Sequence, residues 1–403
     1  MGNPPLLEWP ASLDVSSLVA TGWRPAPFVE FIVKVHSRCD LACDYCYMYE
    51  MADQSWRDQP RVMSPAVAEM TALRIGEHAA AHSLPAVTLI LHGGEPLLAG
   101  RDLIATLVGA TRQAAGPSTT VTAQVQTNGV GLSDAYLKLF DELGVRVGVS
   151  IDGDATAQDR HRRFASGRGS YLPVAAALRR LRRLPHLYSG LLCTIDLNND
   201  PVRTYQALLE FEPPRIDFLL PHGTWTAPPP GRDADPARTP YADWLIAVFD
   251  HWYLRPQTRI RLFDEIMQLL LGGTSNSELI GLSPAQMVVI ETDGTIEQVD
   301  TLKIAFAGAP VTGLHVASDR LDEALNLPQI AVRQIGERAL AAQCKACAIR
   351  EVCGGGMYSH RYREGSGFAN PSVYCPDLMA LICHIRDRIE MDIAARRSRR
   401  AAG

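Results

Sequence analysis

Nine cysteines are spread unevenly along 403 residues, and their spacing is the feature with the most chemical content. Cys39, Cys43 and Cys46 form a CxxxCxxC run. Three thiolates hold a cubane 4Fe-4S cluster with one iron open to a ligand, whereas four saturate it. The competing reading is a zinc site with His36 as fourth ligand. Further on, Cys344, Cys347 and Cys353 are followed by Cys375, a set of four that can close a cubane or hold zinc. No cysteine lies between Cys193 and Cys344. Cys193, in a predicted strand, and Cys383, in an apolar helical run, read as buried thiols.

Three further segments carry polar or glycine-rich groups where predicted strands end. In His92-Gly93-Gly94-Glu95-Pro96, exposed carbonyls and a carboxylate can accept from an ammonium group. The others are Gln126-Thr127-Asn128-Gly129 and Ser150-Ile151-Asp152-Gly153. Together with the cysteine loop they face one mouth.

The elements that must position these groups alternate between short β-branched runs and helical stretches, the pattern of βα units on a parallel sheet. Six strands are predicted: Val29 to Val35, Val87 to Leu91, Val121 to Thr127, Val145 to Ile151, Gly190 to Asp196 and Ile216 to Leu220. Helical spacing fills Pro65 to His82, Asp102 to Gln113, Ser133 to Leu143, Tyr171 to Leu184 and Pro201 to Glu210. Six units are too few to close an eight-stranded barrel, so the expected class is α/β, a partial (β/α)6 TIM-like barrel or doubly wound sheet. Either arrangement puts sites at the carboxyl ends of the strands. Residues 1–27 form an N-terminal extension and 28–220 the partial barrel. A proline-rich loop, Pro221 to Pro240, opens a bridging segment that runs to residue 283 and holds helices Tyr241 to Leu254 and Phe263 to Leu271. In 284–403, a hairpin-like stretch, Met287 to Val299, turns at Asp293-Gly294 and precedes the cysteine-rich region. A helix over Pro376 to Ala395 ends the chain.

Composition supports a soluble globular class. The 39 basic and 44 acidic residues give a net charge of −5, with no field for nucleic acid or an anionic membrane. No apolar run reaches membrane-span length, and no signal peptide is visible. A cytoplasmic, reducing setting follows as the expectation, and there clustered thiols read as metal ligands.

On these motifs the sequence resembles the radical S-adenosylmethionine (SAM) enzymes, in the branch with a C-terminal SPASM or twitch extension that modifies ribosomal peptides and proteins. The resemblance implies that Cys39, Cys43 and Cys46 hold the cluster whose open iron chelates SAM. Tyr45 would flank the adenine, Gly93, Gly94 and Glu95 would bind the methionine amino group, and Ser150 and Arg162 would contact the ribose and carboxylate. Thr127, Asn128 and Asp152 join this cofactor-binding set. The extension typically carries seven cysteines for two auxiliary clusters. Here Val299 and Met357 stand at two of those positions and the upstream cysteine is absent, all losses from one cluster. Cys344, Cys347, Cys353 and Cys375 remain for the other, so two 4Fe-4S clusters are expected.

Asp300 follows a lost cysteine position, and an aspartate there acts as base in the related sulfatase-maturing enzymes; the alternative is a turn or salt-bridge aspartate beside Lys303. Phe31 to Met51, the surroundings of Trp225 and Trp244, Cys353-Gly-Gly-Gly, His360-Arg361-Tyr362 and Asn370 to Cys375 look like FxsB-type maturases. That likeness implies cyclophane formation, an aromatic ring carbon joined to the Cβ of a residue two positions on in a precursor peptide. It also implies an electron donor such as flavodoxin or ferredoxin and, given the short N-terminal extension, leader binding by the enzyme's own surface or a separate protein. The alternatives are a formylglycine-forming oxidase of the anaerobic sulfatase-maturation type and a noncatalytic Fe-S peptide-binding protein.

Overall fold

A computed structural model describes residues 9–232, 235, 238–275 and 277–401. Its strands are β1 (Glu30–His36), β2 (Ala86–Gly93), β3 (Thr120–Thr127), β4 (Val145–Ser150), β5 (Tyr188–Thr194), β6 (Arg215–Leu219), β7 (Arg259–Ile260), β8 (Met287–Ile290), β9 (Thr295–Glu297) and β10 (Val311–His315). They form one open sheet in the order β10-β9-β8-β1-β2-β3-β4-β5-β6-β7. The six predicted strands lie side by side as β1 to β6, all parallel, within two residues of the expected limits. In β1, Phe31, Val33 and Val35, which share one face, are fully buried, and Lys34 is fully buried on the other. Helices return the chain between strands, started by caps readable in sequence: Ser64 before Pro65 and Asp200 before Pro201 each accept a backbone N–H from the first turn.

Several elements differ from expectation. The hairpin of β8 and β9 is present, but β8 also pairs in parallel with β1, Glu30 opposite Met287. The sheet therefore runs unbroken from the barrel strands into the C-terminal region. Strands β7 and β10 and the helix Ala155–His161 have no counterpart in the sequence reading. The final helix starts at Cys375 and extends to Ala401.

Beside the main core lies a second apolar cluster: Val299, Leu302, Val332, Tyr358, Tyr362 and Phe368, with Trp9, Leu13, Leu18 and Trp23 from the N-terminal extension packed against it. Met357 packs instead on the main core. Both positions that resemble lost cysteines are thus occupied by apolar packing. Among the described residues, no helix is long and apolar enough to cross a membrane.

Candidate functional site

The carboxyl ends of β1 to β6 surround a cavity of about 210 Å³. Cys39, Cys43 and Cys46 line it, with Tyr45, Gly93, Gly94, Thr127, Asn128, Ser150 and Arg162. Ten residues predicted from spacing and from the family resemblance thus share one wall. The cysteine loop is fastened to the end of β2 by main-chain bonds: Gly94 N–H donates to His36 O at 2.8 Å and Glu95 N–H to Arg38 O at 3.0 Å. This approach demands glycine twice. A Cβ at Gly93 would stand 2.1 Å from His36 O, and one at Gly94 2.5 Å from Arg38 O and 1.8 Å from Tyr49 Oη.

Glu95 and Asp152 do not line the cavity; both act from behind it. Glu95 is buried, and its carboxylate accepts from Thr127 Oγ1 at 2.7 Å, Leu97 N at 3.0 Å and Asn128 N at 2.8 Å. Burial nevertheless raises its pKa to about 7. Asn128 passes the linkage on, its Nδ2 donating to Asp40 Oδ1 at 2.7 Å and lying 3.5 Å from Cys39 Sγ. Glu95 thus sets the strand end that touches the cysteine loop. Two of these donors share Oε1, and Oε2 accepts from Asn128 N alone, which leaves it one acceptor site.

Asp152 accepts from the Tyr45 hydroxyl and, at 3.0 Å, from Thr194 N. Arg162 Nη1 donates to Tyr45 Oη at 2.9 Å, while its Nε is buried without a partner. A guanidinium N–H with no acceptor in a cavity wall fits a carboxylate ligand, which an amino acid moiety supplies. Ser150 Oγ accepts from Gln126 Nε2 at 3.0 Å.

Cys344, Cys347, Cys353 and Cys375 line a separate cavity of about 60 Å³, together with Gly355, Ser372 and Met379. All four predicted ligands therefore converge. Burial pushes the Cys353 thiol up to about 12 and Cys43 to about 11, so both are thiols unless a cation displaces the proton. The donor set, four sulfurs and no carboxylate or imidazole, fits a soft metal cluster. Cys193 is fully buried in β5 and Cys383 has only Met379 Sδ at 3.9 Å, so neither belongs to a thiolate set. Between the two cavities stand four rings: Tyr47 and His222 in the first wall with centroids 4.8 Å apart, then His360 at 5.5 Å and Tyr374 at 5.1 Å, immediately before Cys375.

Asp300 requires a correction. It does not line the cavity and does not pair with Lys303. Its carboxylate is 2.6 Å from Lys34 Nζ, which also meets Glu291 at 2.6 Å; Lys303 is shared by Asp53, Glu291 and Glu297. The cavity residue next to Asp300 is His92, whose Nδ1 is 3.7 Å from Oδ2. Sequence reasoning gave His92 no role and overlooked Lys34. A lysine in Phe31-Ile32-Val33-Lys34-Val35 was the available signal, because a charge inside a fully buried strand needs a partner.

Residues 33–207 match the sequence model of the Radical SAM superfamily. The chain is similar to the serine-type anaerobic sulfatase-maturating enzyme of Klebsiella aerogenes, 25% identical over 87% of this chain and 84% of that protein. It is also similar to the cysteine-type enzyme of Clostridium novyi, 22% identical over 84% and 90%. Among solved structures, native anSMEcpe with bound AdoMet superposes with a TM-score of 0.77 at 20% identity, over 91% of this chain and 99% of that one. Streptococcus suis SuiB bound to precursor peptide SuiA gives 0.58 at 12% identity, over 89% and 78%.

Proposed function

We propose, for a chain whose residues 33–207 match the Radical SAM superfamily model, a peptide-modifying activity that joins an aromatic ring carbon to a Cβ two residues on, a three-residue cyclophane, in a ribosomal precursor peptide. The observation that carries this reading is the pairing of a three-cysteine cavity with a closed four-cysteine one, where apolar side chains fill the positions of a further cluster. Bound at Cys39, Cys43 and Cys46, a 4Fe-4S cluster with SAM supplies a 5′-deoxyadenosyl radical able to take hydrogen from an unactivated carbon.

The chain's own residues do the rest. Arg162 offers its unpaired Nε to a carboxylate; Thr127, Asn128, Ser150 and Tyr45 bound the remaining cofactor space, and Gly93 and Gly94 let the cysteine loop close on it. Cys344, Cys347, Cys353 and Cys375 would hold a saturated second cluster. Residues 28–220 are the catalytic unit in this reading, 221–283 a bridge and 284–403 the cluster-binding extension, after an N-terminal extension, 1–27, of which Trp9, Leu13, Leu18 and Trp23 pack on the second apolar cluster. A peptide substrate is supported by the relatives, since SuiB and anSMEcpe are described with peptides bound. An external reductant such as flavodoxin or ferredoxin and a separate leader-binding protein complete the proposal. Nine cysteines without a disulfide suit a reducing cytoplasm.

Formylglycine formation is the second reading, favoured by the similarity to sulfatase-maturating enzymes. Coexpression with small neighbouring open reading frames and tandem mass spectrometry separates the two. A crosslink loses ~2 Da per ring, and an aldehyde loses ~2 Da when made from serine or ~18 Da when made from cysteine. A crosslink suppresses fragmentation across three residues and ignores carbonyl reagents. An aldehyde fragments normally and reacts with hydrazides, which would overturn the crosslinking reading.

A further inference from the structure

His92 ends β2 directly before Gly93, and its ring is part of the wall of the cysteine cavity. Its Nδ1 is buried with no hydrogen-bond partner, and the nearest carboxylate oxygen, Asp300 Oδ2, is 3.7 Å away. Hydrogen bonds of this kind are commonly long before substrate binds and tighten in the complex. Asp300 itself is held in place, because its other oxygen is clamped by Lys34. With Nδ1 turned toward Asp300, Nε2 is the nitrogen left to face away, into the space the ring borders.

The charges around the ring favour its protonated form only when a proton is delivered. Lys34 comes from β1, Glu291 from the turn after β8, and Asp300 from the segment after β9; Glu297, Lys303 and Asp53 extend the same buried network, and Tyr47 faces it from the cysteine loop. Glu291 is held ionised by the two lysines, whereas burial and Glu291 raise the pKa of Glu297. Lys34 and Lys303 together meet four carboxyl groups, those of Asp53, Glu291, Glu297 and Asp300. Burial favours the neutral His92 ring beforehand, and the neighbouring Asp300 carboxyl group favours the imidazolium afterwards.

We propose that His92 is the catalytic residue that accepts the substrate proton, and that Asp300 is a positioning residue acting through it. The proposal rests on the reading above only in needing a substrate radical that loses a proton, which crosslinking and aldehyde formation share. In crosslinking, the ring carbon that has formed the new bond loses its C–H proton to His92 Nε2. The C–H electron pair returns to the ring, and the one surplus electron passes to an oxidised iron-sulfur cluster as acceptor. Nδ1–H donates to Asp300.

The test uses the full-length enzyme, reconstituted with its clusters, and a peptide deuterated at Cβ. His92→Gln is expected to retain SAM cleavage and deuterium transfer into 5′-deoxyadenosine while modified peptide falls at least ~100-fold, the scale of a lost general base. Asp300→Asn removes a negative charge beside the imidazole, so the acid limb of the pH profile for product is expected to move to lower pH. Nitrogen-15 spectra of the His92 ring in cofactor-free protein provide the second readout: its titration is expected to move down in the same variant. Full product from His92→Gln overturns the proposal, as does an unmoved titration in Asp300→Asn, which decides the matter even where His92→Gln fails to fold. A wild-type product that is an aldehyde overturns the crosslinking reading alone.

Discussion

Replacing Glu95 by glutamine tests how the cavity is braced, and its effect on stability can be worked out with its sign. Burial raises the Glu95 pKa from 4.5 to about 7. Below the lower value the side chain is protonated whether the chain is folded or not, and ionisation costs nothing. Between the two, the folded protein holds the proton the unfolded chain has lost, so stability falls as pH rises; above about 7 the penalty is constant. At 1.36 kcal/mol per pH unit it totals about 3 kcal/mol. Glutamine has no proton to lose and escapes this penalty. It brings a different one, independent of pH: whichever way the amide is turned, an N–H2 faces Asn128 N or Leu97 N, leaving a buried donor unpaired at about 1–3 kcal/mol. Glu95→Gln should therefore be the less stable protein at pH 5 and gain about 3 kcal/mol on the wild type by pH 8, to equality or beyond. Urea unfolding of both cofactor-free proteins at the two pH values measures the difference, and titrations common to both cancel. A stability difference that does not change with pH would refute the reasoning, because the carboxyl would then not titrate in that range.

Further outcomes follow from the same geometry. Lys34→Met leaves Asp300 buried without its cation and Glu291 with Lys303 alone, and should cost about 3–5 kcal/mol in urea unfolding; a loss below 1 kcal/mol would mean the Asp300 carboxylate takes up a proton instead. Anaerobically reconstituted enzyme should contain roughly eight irons per chain, falling to about four in Cys375→Ala with SAM cleavage still measurable, whereas about twelve in the wild type would show a third cluster. Joint Val299→Cys and Met357→Cys substitution should leave the iron content at about eight, since the two positions sit in different apolar clusters. Arg162→Lys, which gives up the fork that spans Tyr45 and the cavity, should weaken SAM binding by about 10- to 100-fold in equilibrium dialysis; unchanged affinity would remove Arg162 from the cofactor site.

The parts legible in sequence were those governed by local pattern. β1 to β6 announce themselves as β-branched runs, and both cysteine sets by spacing, because a loop of a few residues has to bring its own ligands together. What escaped depends on pairing between distant segments. Nothing in Met287 to Ile290 says that its partner is Phe31 to Val33, and β7 is two residues long. Asp300 illustrates the same gap at the scale of one side chain: its neighbour in sequence is Lys303, but its partner in space is Lys34, two hundred and more residues away. Glu95 was located correctly, but the three donors that brace its carboxylate come from strand and turn geometry that the motif does not encode.

The parallel contact between β1 and β8 also bears on how this chain can be divided. A fragment ending at residue 283 would strip β8, β9 and β10 from the sheet and leave the main-chain N–H and C=O groups of β1 open along Glu30 to Val33. Open strand edges of apolar sequence recruit other strands, so the shortened protein should self-associate rather than persist as an independent catalytic half. The C-terminal region is in this sense a cover for the barrel's edge as much as a holder of cysteines, and a chain that lost the extension would need a new way to blunt that edge before it could remain in solution.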